Sequence, residues 1–171
     1  MKILIIYSSA WGVSRQCAEM LAGQLGDNLD ITVCDVKNAP PSPKGFDVAV
    51  IGGSIRMSKI NKKLKAYLKT HANTLSQMHT ALFLCCGLSE NFDDYVAIQF
   101  PTSVIPDLGI HFFGGELKPE KLKGVDKMLV KMMRSSILGD DFEAPDPTLS
   151  PLPEILPENI SRLADSIRAL S

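Results

Sequence analysis

The chain has 171 residues, of which 45% are hydrophobic and 22% are charged. These values are typical of soluble globular proteins and exclude collagen-like, disulfide-rich and largely disordered chains. The length suits one domain, and we expect residues 1–171 to form it. Every apolar run is far shorter than the roughly 18 residues of a membrane-spanning helix, and no signal peptide is recognisable. The sequence therefore predicts a cytoplasmic protein.

The charges are nearly balanced in number but unevenly distributed. The formal net charge is −1, from 18 basic and 19 acidic residues. Twelve of the basic residues lie in two windows, Arg56 to Lys69 and Lys118 to Arg134, and the rest of the chain carries 6 basic against 17 acidic residues. Separate positive and negative surfaces are therefore expected, and no nucleic-acid partner is predicted.

Short apolar runs recur along the chain and predict β-strands. Most of these runs are continuous rather than alternating, which is typical of strands that helices cover on both faces of a parallel sheet. The predicted strands are Lys2–Tyr7, Ile31–Asp35, Asp47–Gly52, Ala81–Cys86 and Gly109–Phe113.

Segments with helical spacing lie between these strands. Val13, Cys17, Leu21 and Leu25 are four residues apart and predict the first helix. Further helices are predicted over 64–71, 125–132 and 160–170, the last of them beginning at Pro157. Residues 92–104 are ambiguous because Pro101 interrupts any helix there. The proline-rich segments 35–46 and 140–157 are predicted loops.

This alternation of strand and helix predicts an α/β fold with right-handed crossovers. We expect a doubly wound parallel sheet of five strands in the order 2-1-3-4-5, with helices on both faces. In that order the strand connectivity reverses between the first and third strands, and ligands bind where the carboxyl ends of those strands separate. The loops that follow the first, third and fourth strands should open on that edge.

The segment from Tyr7 to Ser14, YSSAWGVS, joins the first strand to the first helix. Backbone N–H groups and the dipole at a helix amino terminus bind phosphate at such a turn. Gly12 permits close approach, and the hydroxyls of Ser9 and Ser14 can donate hydrogen bonds. The alternative is an ordinary helix cap by either serine. Neither the G-x-G-x-x-G fingerprint nor the Walker lysine is present, so nicotinamide and nucleoside triphosphate ligands are disfavoured.

The first loop resembles the phosphate loop of the flavodoxin family, hydroxyl-x-x-Gly-x-hydroxyl, which Ser9, Gly12 and Ser14 match. The chain is most similar to flavodoxin-like flavoproteins of the menaquinone-dependent protoporphyrinogen oxidase type. That similarity includes Ile-Gly-Gly-Ser-Ile-Arg at 51–56 and a basic, methionine-containing segment at 125–134. The resemblance implies a flavodoxin-like fold and FMN as a noncovalently bound cofactor.

The resemblance also implies which residues would surround FMN. Hydroxyls and backbone N–H groups of the first loop would hold the phosphate: Ser9, Ala10, Trp11, Gly12, Val13 and Ser14. Two further loops would flank the isoalloxazine ring, with Ser54, Ile55, Arg56 and Met57 on one side and Cys86, Gly87 and Leu88 on the other. Trp11 and Val13 replace the hydroxyl and polar residues usual in flavodoxins, so phosphate binding should rely more on backbone donors.

The function that the resemblance implies is that of an oxidoreductase in which the protein positions FMN and no side chain serves as a nucleophile. Arg56 is a candidate for anchoring the substrate or stabilising the reduced flavin. The redox partners would be a donor and an acceptor, with a porphyrinogen or a quinone among them. Two alternatives stay open: a flavodoxin-type electron carrier, and a flavin-free binding module.

The two basic windows begin just after strand ends, near the expected cofactor. They would attract an anionic substrate, or anionic lipid headgroups at the inner face of the membrane; a flavin-free module would use them to dock an anionic partner or a lipid surface. Solvated helix faces are the alternative interpretation.

Cysteines and histidines give no sign of a further centre. Cys17, Cys34, Cys85 and Cys86 lack the spacing of a disulfide framework or a zinc site and are expected to be reduced thiols. The adjacent Cys85 and Cys86 are predicted to form a buried strand end. The three histidines are scattered, so no metal site is predicted.

Overall fold

A computed structural model describes residues 1–56, 58–87, 92–115 and 154–170 of the chain. Within these ranges the strands form one sheet in the order β2-β1-β3-β4-β5, and every neighbouring pair is parallel. The predicted fold class and strand order are confirmed. The strands are β1 (Lys2–Ser8), β2 (Asp30–Asp35), β3 (Val48–Ser54), β4 (His79–Cys85) and β5 (Ile110–Phe112).

Helices occupy most of the described connections between the strands. The fourth of them, in the ambiguous segment, ends at Gln99, two residues before Pro101, because the residue before a proline disfavours the helical conformation. The last helix has Pro157 in its first turn, as predicted. The helices are α1 (Val13–Leu25), α2 (Lys62–Thr70), α3 (Ala72–Leu75), α4 (Phe92–Gln99) and α5 (Pro157–Arg168).

Three predicted features lie wholly or largely outside the described residues. They are the basic window Lys118 to Arg134, the helix over 125–132 and most of the loop over 140–157. Among the described helices, none combines the length and the apolar composition that crossing a bilayer requires.

The connection between β2 and β3 lacks an α-helix, as its prolines predict. It forms one short 3₁₀ segment, Val36–Asn38, and then an irregular loop. The hydroxyl of Tyr67 on α2 donates to the carbonyl of Pro41 in this loop at 2.7 Å. Burial raises the pKa of Tyr67, so the hydroxyl stays protonated and keeps the loop tied to α2.

The two faces of the sheet bury separate apolar clusters. Along β1, Ile3 and Ile5 point to the face that α1 and α5 cover, whereas Leu4 and Ile6 point to the face that α2, α3 and α4 cover. All four side chains are completely buried. Because both faces are covered, the strands appear in the sequence as continuous apolar runs.

Close packing inside the sheet requires glycine at the carboxyl end of β3. A Cβ on Gly52 would lie 2.1 Å from the carbonyl oxygen of Phe83 and 2.4 Å from its ring. The Phe83 ring in turn stacks on Phe113, with 4.8 Å between ring centroids. Only glycine therefore lets β3 pass this aromatic pair and reach the edge where the loops emerge.

Candidate functional site

The loops after β1, β3 and β4 emerge side by side at the carboxyl edge of the sheet. The strand register pairs Ser8 with Gly53 and Ser54 with Cys85. The backbone N–H of Ile55 then donates to the carbonyl of Cys85 at 2.9 Å. This bond ties the start of the second loop to the last residue of β4, so the second loop is held beside the point where the third loop begins.

The first loop turns into α1 through Gly12, which has a φ of 97°. In this left-handed conformation a side chain is strained, which explains the glycine. The hydroxyl oxygen of Ser9 accepts a hydrogen bond from the Gly12 N–H at 2.9 Å. Neither serine therefore caps the helix, because Ser9 closes the loop onto Gly12 rather than onto the first turn of α1, and the Ser14 hydroxyl bonds Ser54.

The first turn of α1 keeps its amide donors open. No side chain caps it, and the first helical bond at this end is from the Gln16 N–H to the Gly12 carbonyl, at 2.9 Å. The N–H groups before Gln16 have no partner further back in a helix. The first turn contains no acidic residue, and no atom lies within 4 Å of the place where a Cβ of Gly12 would be. This set of donors fits a phosphate group.

Ser14 directs its hydroxyl into the protein. The side chain is completely buried, and its Oγ lies 2.6 Å from the Oγ of Ser54. The Ser14 hydroxyl also works to lower the pKa of the Cys85 thiol. These contacts fix the start of α1 to the ends of β3 and β4. The Ser14 hydroxyl is thus used inside the protein.

A pair of buried thiols lies beneath this point. The Sγ atoms of Cys17 and Cys85 are 3.8 Å apart, and both are thiols outside any disulfide, as is Cys34. The hydrogen bond with Cys17, together with burial, raises the pKa of Cys85 well above its ordinary value. A thiol held in its protonated form is a poor nucleophile. Cys85 and Cys86 are the buried strand end that the sequence predicts.

The second loop folds into a tight turn. Arg56 and Lys59 exchange backbone hydrogen bonds of 2.9 and 3.0 Å. The N–H groups of Ile55 and Arg56 are therefore both used inside the protein. Met57 and Leu88, two further predicted site residues, lie outside the described residues.

The guanidinium of Arg56 and the ring of Trp11 connect the second loop to the first. They are 5.9 Å apart, from the guanidinium carbon to the ring centroid, which is within the range of a cation–π contact. Trp11 is half-buried and Arg56 is exposed. Trp11 and Arg56, which the sequence analysis assigns to different loops, are thus in contact with each other.

Lys37 also touches the first loop, and the sequence motifs do not identify it. Its Nζ donates to the carbonyl of Ser9 at 3.0 Å. The signal that would have found it is its place two residues after β2, because β2 neighbours β1 and both end at the same edge. Lys37 adds positive charge next to the open amides.

The predicted site residues in the described ranges therefore converge on one edge of the sheet. Contacts join the first loop to the second through Trp11 and Arg56, α1 to β3 through Ser14 and Ser54, and the second loop to the end of β4 through Ile55. The assignment of each of these residues to FMN remains a prediction.

Known proteins resemble the chain in sequence and in fold. Protoporphyrinogen IX dehydrogenase (quinone) of Escherichia coli (strain K12) is 32% identical over 85 residues, which are 48% of this chain and 47% of that protein. The chain thus matches about half the length of this curated relative. A flavodoxin of Streptococcus pneumonia TIGR4 has a TM-score of 0.52 and 11% identity, with 100% of both chains covered.

A second solved structure shows the same fold. A short-chain flavodoxin associated with a bacterial microcompartment has a TM-score of 0.51 and 12% identity, again with 100% of both chains covered. At these identities the likeness extends to the fold alone. The profile of the Flavodoxin domain family, in contrast, matches residues 4–143, which is most of the chain. The chain therefore belongs to the flavodoxin-domain family, as the loop motifs predict.

Proposed function

We propose that the chain is an FMN-dependent oxidoreductase that passes electrons between a donor and an acceptor. The observation that carries this proposal is the open first turn of α1 behind Gly12, where amide donors lie uncapped next to the ends of β1 and β3. FMN is the cofactor that membership of the flavodoxin-domain family supports. When bound, it supplies the hydride and electron chemistry.

The chain's own residues bind and orient the cofactor. The first-turn amides of α1 hold the phosphate, and the positive end of the helix dipole favours its negative charge. Lys37, through its contact with the Ser9 carbonyl, adds a cation beside it. The loops after β3 and β4 flank the ring, and the bond between Ile55 and Cys85 holds the first of them beside the start of the other.

A finer part of the proposal concerns the substrate. The curated relative is named for protoporphyrinogen IX and a quinone, and its similarity to this chain supports the same pair here, with the porphyrinogen as the electron donor and the quinone as the acceptor. A cytoplasmic location belongs to this part of the proposal. No carboxylate or thiol of the described site is needed as a nucleophile.

A comparison of two flavins tests the cofactor. The purified chain is titrated with FMN and with riboflavin, which lacks the phosphate, and flavin fluorescence is followed. We expect FMN to bind at least about tenfold more tightly, because a charge-assisted contact contributes roughly 1.5 to 3 kcal/mol. Equal affinity for the two flavins, or no binding of either, would overturn the proposal.

A turnover assay tests the substrate. FMN-loaded protein is mixed under nitrogen with protoporphyrinogen IX and menadione, and porphyrin fluorescence is followed against a reaction without protein. Faster appearance of porphyrin supports the proposed substrate. If FMN on the protein is reduced and reoxidised by other reagents but the porphyrinogen is not consumed, the substrate assignment is wrong and the chain acts as an electron carrier.

A further inference from the structure

The exposed face of α2 and the turn before it carries a concentrated positive charge beside the proposed flavin site. We call it the α2 basic face and define it by Lys62, Lys63 and Lys69 on α2, Arg56 and Lys59 in the turn before it, and Lys37 in the neighbouring 3₁₀ segment, all of which are exposed. The sequence has no acidic residue between Asp47 and Glu90. In the part of the chain that the structure describes, none of the α2 lysines takes part in an ion pair.

The face is continuous with the phosphate loop. The Nζ of Lys63 lies 3.5 Å from the Lys37 carbonyl, and the Nζ of Lys37 lies 3.0 Å from the Ser9 carbonyl. Arg56 lies over Trp11 on the other side of the same loop. The positive surface therefore begins at the expected cofactor and extends along α2.

The placement of these lysines does not favour the helix itself. Lys62 and Lys63 occupy the first turn of α2, which contains no acidic residue. Cations at this end oppose the helix dipole and one another. Because these lysines do not stabilise the helix, their positive charge is better explained by binding to a negatively charged partner.

The apolar residues of α2 argue against a lipid surface as that partner. Helices that bind membranes insert an apolar side into the bilayer, but Leu64, Tyr67 and Leu68 are buried against the sheet. Among the described residues the exposed large hydrophobic side chains are Val33, Ile98, Ile105 and Leu170, and none belongs to the α2 basic face. The exposed surface of α2 therefore carries positive charge but no large apolar side chain that could enter a bilayer.

We propose that the α2 basic face docks an acidic electron-transfer protein that exchanges electrons with the flavin site. Complementary charge steers such partners and fixes their orientation. This inference rests on the proposed flavin-dependent function, but it does not depend on the porphyrinogen. In the direction from partner to chain, each acidic iron–sulfur protein gives up one electron as one iron goes from Fe(II) to Fe(III), so two of them and two protons from water reduce one FMN.

Binding of an acidic plant-type ferredoxin to the FMN-loaded chain tests the proposal, with calorimetry at 20 and 300 mM NaCl as the readout. We expect binding at low salt and a loss of affinity of at least about tenfold at high salt. The double variant Lys62→Gln/Lys63→Gln should bind about tenfold more weakly at low salt. The matched control is Lys2→Gln, at the opposite edge of the sheet, which should bind like the unmodified chain.

Two further measurements separate the alternatives. The rate at which reduced ferredoxin reduces bound FMN should fall in the double variant and not in Lys2→Gln, while FMN affinity stays the same in both. Vesicles with and without phosphatidylglycerol are then offered to the same proteins. If ferredoxin affinity is insensitive to salt or to the α2 lysines, or if anionic vesicles alone depend on them, the docking proposal is wrong.

The two proposals fail in different ways. A chain that binds no FMN overturns the proposed function and the electron exchange that rests on it, and calorimetry on the flavin-free chain then still shows whether ferredoxin binding depends on the α2 lysines. A chain that binds FMN but shows no lysine-dependent ferredoxin binding overturns only the docking surface.

Discussion

The first turns of α1 and α2 differ in how their backbone amides are paired. At α1 the residue before the helix is Gly12, which has no side chain and leaves the first turn uncapped. At α2 it is Asn61, whose side chain accepts from the Lys63 N–H at 2.8 Å. The comparison shows one helix start whose amides remain available to a ligand, and another that the chain closes with its own side chain and surrounds with lysines.

The largest expected effect comes from changing the open start. Gly12→Val puts a branched side chain at a φ of 97°, which costs about 1–3 kcal/mol if the conformation is kept. We expect FMN affinity to fall by about tenfold to a hundredfold, measured by flavin fluorescence.

Gly23→Ala is the control for that change, since Gly23 lies within α1 and a Cβ there has no atom within 4 Å. It should leave FMN affinity unchanged and raise the free energy of unfolding by about 0.5–1 kcal/mol. Equal FMN affinity in Gly12→Val and Gly23→Ala would contradict the assignment of the open turn.

Removing the side-chain cap of α2 should lower the free energy of unfolding and leave FMN affinity unchanged. Asn61→Ala removes the acceptor of the Lys63 N–H, and losing such a cap costs about 1 kcal/mol. Urea unfolding should show this loss, and Asn61→Ser should recover most of it. FMN affinity should stay the same in both variants. A large loss of FMN binding in Asn61→Ala would mean that the two helix starts are not independent.

The backbone N–H of Thr80 is paired with a carboxylate, that of Asp107, so the contribution of this hydrogen bond to the free energy of unfolding should depend on pH. The Oδ1 of Asp107 accepts from the Thr80 N–H at 2.7 Å, and its Oδ2 lies 2.6 Å from the His79 ring. Burial works to raise the pKa of Asp107, but these hydrogen bonds outweigh it and hold the pKa below its ordinary value. The stabilisation is therefore present above pH ~4, where the unfolded group titrates, and is lost as pH falls through the lower folded pKa.

Asp107→Asn should remove this pH dependence. The carboxylate is about half exposed, so solvent screening keeps the expected loss at pH 7 below about 1 kcal/mol. Urea unfolding at several pH values from 7 to 3 measures it: the difference between the unmodified chain and the variant should shrink toward acid. A difference that grows toward acid would show that the sign is wrong.

The smallest effect concerns the lysines of the closed start. Lys62→Glu places a negative charge in the first turn of α2, where the dipole favours it, so the free energy of unfolding should rise by about 0.5 kcal/mol at low salt. The gain should be smaller at 0.5 M NaCl because salt screens it. A loss of stability would mean that Lys62 has a structural role, and would weaken the argument that its charge serves a partner.

The fold was predictable where burial leaves a pattern in the sequence. Residues such as Ile3 to Ile6 alternate between two covered faces, and the resulting continuous apolar runs identified all five strands. Helix α4 was not predictable in the same way, because the segment from Phe92 to Gln99 lies beside Pro101 and only Gln99 within it is buried. Its position depends on packing that no local pattern records.

The site was predictable as a set of loops but not as a set of contacts. The motif YSSAWGVS located the turn, and Gly12 adopts the left-handed conformation that such a turn needs. The bond between the hydroxyls of Ser14 and Ser54 joins residues 40 positions apart, so it exists only once β1 and β3 are neighbours. The approach of Lys37 to Ser9 has the same cause.

The hydrogen bonds within the second loop make the two ends of the carboxyl edge of the sheet chemically different. The backbone amides of Ile55 and Arg56 donate to the carbonyls of Cys85 and Lys59, whereas no side chain caps the amides at the start of α1. Any molecule seated across both loops meets open backbone amides at one end and, at Ile55 and Arg56, backbone amides that are already paired at the other. Such an edge admits a molecule in one orientation and disfavours the reverse.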